Sequence, residues 1–233
     1  MRTEIKYQLA ISFVGLALVV ALTFFPPIEN NPVVWRKTVV GAVFCTFCAL
    51  GVIAVFSPKQ CGKIVKTSKK NVHTKLDDFN SHETGPVLQG HHPNCGKYSA
   101  HVLKIHNKTV CSACAGLLVG GVLALAMSLA YFVVEIQLTK NSSSLVLAGV
   151  LATTLGLFQF KFGSVARFLA NIIFVLGATS VLVGVDALVG SLVFDLFVVC
   201  LIVFWLFTRI SLSSWDHEQI CSTCDTPNCR LRA

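Results

Sequence analysis

The sequence predicts an all-α integral membrane protein, a bundle of six transmembrane helices with a small zinc-ribbon-like cytoplasmic loop. Three observations predict it. The 233 residues are 54% hydrophobic and only 13% charged, against about 25% charged in a soluble domain. The apolar residues gather into runs close to the ~20 needed to cross a ~30 Å hydrocarbon core. Ten cysteines and seven histidines lie mostly between and after those runs, where lipid contact does not account for them. This composition excludes an ordinary soluble enzyme, a disordered chain and a small disulfide scaffold.

The first two runs, Gln8–Pro27 and Thr38–Ser57, place transmembrane helices within residues 1–57. Arg2 and Lys6 ahead of the first run resemble a signal n-region. The apolar stretch is too long for a signal, however, and Phe24-Phe25-Pro26-Pro27 offers no small-residue cleavage site, so a retained span is expected. Four more spans are expected within 113–209: Ala113–Ile136, a short one from Ser143 to Phe160, then Phe168–Val185 and Leu188–Phe207. The last two come from dividing a stretch too long for one crossing near Asp186.

Orientation follows from the lysines and arginines, which accumulate on the cytoplasmic side. If the six runs alternate, 16 basic residues fall on one side and only Arg36, Lys37 and Lys140 on the other. Both termini, the loop 58–112 and the tail 210–233 are therefore expected in the cytoplasm of a cell membrane. All seven histidines and seven of the ten cysteines lie on that side. A reducing compartment disfavours disulfides, so spaced thiols there read as metal ligands or redox groups. The basic stretch from Lys59 to Lys75 suits anionic lipid headgroups, each lysine contributing about 1 kcal/mol near the surface. Nucleic acid is not expected as a partner, because the basic residues lack interleaved aromatics.

Within the loop, His92-x2-Cys95-x15-Cys111-x2-Cys114 has the form of paired ligands separated by about 15–20 residues, as in two-knuckle zinc sites. The two-residue spacing lets a tight turn aim two side chains at one ion, and structural zinc takes four Cys or His ligands. The β-leaning run Tyr98–His106, a turn at Asn107-Lys108 and a return at Thr109-Val110 would fold the knuckles together as a hairpin. His91 is an alternate for His92, and His101 a further alternate or an orienting group. In the tail, His217-x3-Cys221-x2-Cys224-x4-Cys229 supplies three thiols and an imidazole for a second site, or for a site shared with the loop. One to two zinc ions per chain are expected, with an iron–sulfur cluster as the sulfur-rich alternative.

Inside the spans, Asp195 is the clear ionisable residue, and such residues are functional candidates by default. Counting along the helices puts Thr179 and Cys45 at a similar depth, so the three could form one polar layer. No lysine or arginine falls inside the expected spans to pair with Asp195, which implies a protonated or water-facing carboxyl. Cys45 and Cys48 form a C-x-x-C along one helix face. Gly116 and Gly120 form a G-x-x-x-G, which permits a close helix approach.

His91-His92-Pro93-x-Cys95, then His101, then Cys111-x-x-Cys114-x-Gly116-Leu117 resembles prokaryotic multi-pass membrane proteins with a Cys/His-rich cytoplasmic loop. The resemblance implies that the loop is a module in its own right, and it transfers no activity to this chain. No nucleophile–base pair, phosphate loop or paired-carboxylate arrangement stands out, so an enzyme is the lesser expectation. The functional expectation is a structural-zinc scaffold that docks a cytoplasmic protein partner. The alternatives are a transporter using the Asp195 layer and a membrane thiol–disulfide oxidoreductase.

Overall fold

A computed structural model describes residues 2–27, 35–56, 101–105, 108–134 and 141–223. They form six α-helices and one two-stranded hairpin. In chain order these are α1 (Thr3–Phe24), α2 (Arg36–Phe56), β1 (Val102–Ile105), β2 (Lys108–Cys111), α3 (Ser112–Phe132), α4 (Ser142–Leu157), α5 (Ser164–Val189) and α6 (Leu192–Ser222), with a 3-10 turn at Gln159–Lys161 between α4 and α5. Five of the helices are long and apolar enough to cross a membrane, and α4, at 16 residues, is apolar but shorter. The chain is a multi-pass membrane protein by the length and composition of its helices.

Apolar residues surround most of these helices instead of lining one stripe. Ile11, Val14 and Leu18 on α1 and Phe47, Leu50 and Ile53 on α2 all point outward, the arrangement lipid favours and water does not. Backbone groups in hydrocarbon must be satisfied within the segment, and hydroxyls that fall there bond back into their own helix. Thr23, Ser128, Thr153 and Thr179 each donate to the carbonyl four residues earlier, at 2.7–2.9 Å.

The central helix is α5. Of its most apolar 18 residues 61% are buried, against 17–33% for the other four long helices. Small residues let neighbours approach it. On α3 a Cβ at Gly116 would collide with the carbonyl oxygen of Phe168, and one at Gly120 would meet Val175 at 3.1 Å, so the G-x-x-x-G seats against α5 as its spacing predicts. On α4, Gly149 faces Gly177 backbone to backbone. α1 closes the bundle against α6: Ser12 Oγ donates to Thr208 Oγ1 at 3.0 Å, and the buried Trp205 indole donates to the Ser12 carbonyl at 3.3 Å.

The long apolar stretch divides four residues beyond the expected point. α5 runs on to Val189 and α6 begins at Leu192. Gly190, at φ 70°, ends α5 in the left-handed conformation, its N–H bonded to the Asp186 carbonyl at 3.1 Å. At the other end α6 does not stop near Phe207. It continues as helix to Ser222 over 31 residues, a length of about 46 Å, so the first half of the expected tail extends the bundle.

Contacts sort the helix termini into two ends. At one end lie the start of α1 and the end of α6, joined by Arg2–Glu218 at 2.9 Å, together with the hairpin, the start of α3 and the start of α5. At the opposite end lie the starts of α2 and α6 and the ends of α3 and α5, joined through Arg36, Tyr131, Asp186 and Asp195. This is the sorting that alternating crossings require.

Candidate functional site

At the hairpin end the site is built outward from strand pairing. β1 and β2 are antiparallel, with Val102 opposite Cys111 and Ile105 opposite Lys108. This register sets His101 beside Ser112, whose Oγ donates to the His101 carbonyl at 3.0 Å. The His101 ring then turns into the bundle and is buried. Arg167, in the first turn of α5, reaches across to meet it. Its Nη1 donates to His101 Nδ1 at 2.7 Å and to Asp216 Oδ2 of α6 at 3.2 Å, and its Nη2 donates to the Phe160 and Phe162 carbonyls at 3.1 and 3.3 Å.

Arginine has donors only, so Nδ1 of His101 must accept. The ring proton therefore sits on Nε2, which faces Asp216 Oδ2 at 3.6 Å. The His217 ring lies against that of His101, with centroids 5.1 Å apart and a 58° tilt. A further buried layer lies beneath. Arg209 of α6 donates to Asn171 Oδ1 and to Gln159 Oε1, and Asn171 Nδ2 donates to Gln159 Oε1 and to the Arg167 carbonyl. Hairpin, α5 and α6 are thus fastened by two arginines, Arg167 and Arg209, whose charges by sequence alone are only topogenic.

The expected metal ligands are brought together in part. Cys111 is buried at the end of β2, and Cys114 is half-buried in the first turn of α3. His217 lies at the hairpin through its contact with His101, and Cys221 follows one helical turn later on α6. His91, His92, Cys95, Cys224 and Cys229 lie outside the described residues, as does the lysine run from Lys59 to Lys75. Among the described residues no group of three or more His, Cys, Asp or Glu side chains is arranged to hold a metal ion. His101, an alternate ligand by sequence, has Nδ1 bonded to Arg167 and Nε2 turned to Asp216, and in this arrangement serves as an anchor.

At the opposite end the structure corrects the reading of Asp195. This residue has a basic partner, Arg36, which lies in the first turn of α2 just outside the expected span. Arg36 Nη1 donates to both Asp195 Oδ2 and Asp186 Oδ1. Tyr131 Oη donates to the other Asp186 oxygen at 2.7 Å. Lys37 Nζ sits 5.0 Å above the Tyr131 ring. Asp186, Asp195 and Arg36 are all buried.

The expected layer of Asp195, Thr179 and Cys45 does not assemble. α6 starts four residues later than expected, so Asp195 sits in its first turn, level with Asp186. Thr179 lies two turns deeper on α5 and bonds its own helix, while Cys45 and Cys48 are free thiols on α2. A sequence signal for Arg36 existed in its position beside Trp35 at a span boundary. Tyr131 and Asp186 gave none beyond their polarity.

Comparison with family models, with curated proteins and with solved structures gives no match for this chain.

Proposed function

We propose that this protein is a six-span membrane scaffold whose hairpin and tail form one zinc-stabilised platform for a cytoplasmic protein partner. The observation that carries the reading is the meeting of His101 and His217, with ring centroids 5.1 Å apart. Loop and tail lie far apart in sequence, yet Arg167 fastens a hairpin residue and an α6 residue with one guanidinium group. Cys111 and Cys114 are thereby held close to the helix that carries His217 and Cys221. His92 and Cys95 complete the loop set, and Cys224 and Cys229 complete the tail set. The 16-to-3 distribution of basic residues supports a cytoplasmic position for this end and for both termini. The short α4 serves as the fourth crossing. The Lys59–Lys75 run supports contact with anionic headgroups.

A hairpin of two four-residue strands is marginal without further support, and metal binding supplies folding free energy directly. The test is limited proteolysis of the full-length protein in detergent, with and without a zinc chelator. Chelation is expected to open the hairpin and the end of α6 to cleavage together, while total helicity by circular dichroism stays constant. Cys111→Ser should reproduce that pattern without chelator. Cleavage indifferent to chelator and to Cys111→Ser would overturn the zinc reading, and a brown, visible-absorbing preparation would replace zinc with an iron–sulfur cluster.

A further inference from the structure

The cluster at the opposite end contains two carboxylates and one guanidinium, all buried. The partners are unequal. Asp186 accepts from Arg36 on one oxygen and from Tyr131 on the other. Among the described residues Asp195 accepts from Arg36 on Oδ2 only, and its Oδ1 is buried with no hydrogen-bond partner. An ionised carboxylate oxygen left dry and unpaired is the costliest state a buried polar group can adopt. Two carboxylates around one cation also leave one negative charge uncompensated.

From this geometry we infer that the Asp186–Asp195 pair is a proton-binding site of the membrane domain, holding a single proton at Asp195 Oδ1. Proton uptake there makes the cluster electrically neutral and turns the unpartnered acceptor into a hydroxyl. Among the described residues the titratable and charged groups facing the pair are Arg36 and Lys37 from α2 and Tyr131 from α3. Lys37 stands over the tyrosine ring and is not bonded to either carboxyl. Because the carboxyls interact through one shared guanidinium, the proton belongs to the pair, and removing either acid removes the need for it. The site is independent of the zinc platform, since none of its residues lies at the hairpin end.

Infrared spectroscopy of the full-length protein in nanodiscs at neutral pH reads this proton as the C=O stretch of a protonated carboxyl. One such band is expected in the wild type. It should vanish in Asp195→Asn and equally in Asp186→Asn, because each variant leaves one carboxylate for one guanidinium. Asp195→Glu keeps the acid and should keep a band at a shifted frequency, which guards against mistaking a misfolded Asn variant for a lost proton. Absence of the band from the wild type would overturn the proposal, as would its survival in both Asn variants. A band present in choline buffer and absent in sodium buffer would assign the site to a metal cation and overturn it equally.

Discussion

Tyr131 and Arg36 each take one oxygen of Asp186, and this division sets how substitutions at the opposite end behave. Arg36→Gln leaves two buried carboxyls without their cation. Breaking a buried pair from one side costs about 3–5 kcal/mol, so this variant should show the largest loss in a denaturant or thermal melt. Tyr131→Phe removes only a hydrogen bond to a charged group, a loss of about 1.5–3 kcal/mol. A melt in which Tyr131→Phe is the worse of the two would contradict the shared-guanidinium geometry. None of this pairing was legible in the sequence, because Arg36 meets acids 150 and 159 residues away. A span boundary drawn by hydropathy also excludes the very arginine that a buried acid recruits. Asp195, in contrast, was legible, because a lone carboxyl in an apolar run is conspicuous whatever its partner.

Helix existence was legible throughout, and helix length was not. Hydropathy stops α6 near Phe207 because Thr208 and Arg209 interrupt the apolar run. The helix instead continues to Ser222, held by Arg209 and then by Asp216 against α5. The hairpin was legible as β-leaning residues around a turn, but its docking on α5 was not, since Arg167 looked like a topogenic charge beside the membrane. Arg167→Gln should therefore free the hairpin while α5 still spans. Faster hydrogen exchange at residues 101–111 and at 214–220, with unchanged protection in the middle of α5, is the expected result. Gly116→Leu places a side chain against the backbone of Phe168, and overpacking of this kind costs about 1–3 kcal/mol, measurable as a lowered unfolding midpoint. An unchanged midpoint would mean that α3 and α5 are not packed as described.

At the scale of the whole molecule, α5 and α6 carry both clusters. Asp186 and Arg167 lie near the two ends of α5, and Asp195 and Asp216 near the two ends of α6. Each pair is about 30 Å apart along its helix, the thickness of the hydrocarbon core. Among the described residues the buried charges thus gather toward the two membrane boundaries, with Arg209 seated deeper at the hairpin end on Asn171 and Gln159. The hairpin-end layer ties loop and tail to the bundle, and the platform reading attaches metal to that layer. Its most direct test is the zinc content of the purified full-length protein by elemental analysis, compared with Cys111→Ser. The account predicts about one or two zinc ions per chain in the wild type and about one fewer in the variant. A wild-type protein that keeps its hairpin protected from protease yet carries no zinc would contradict it.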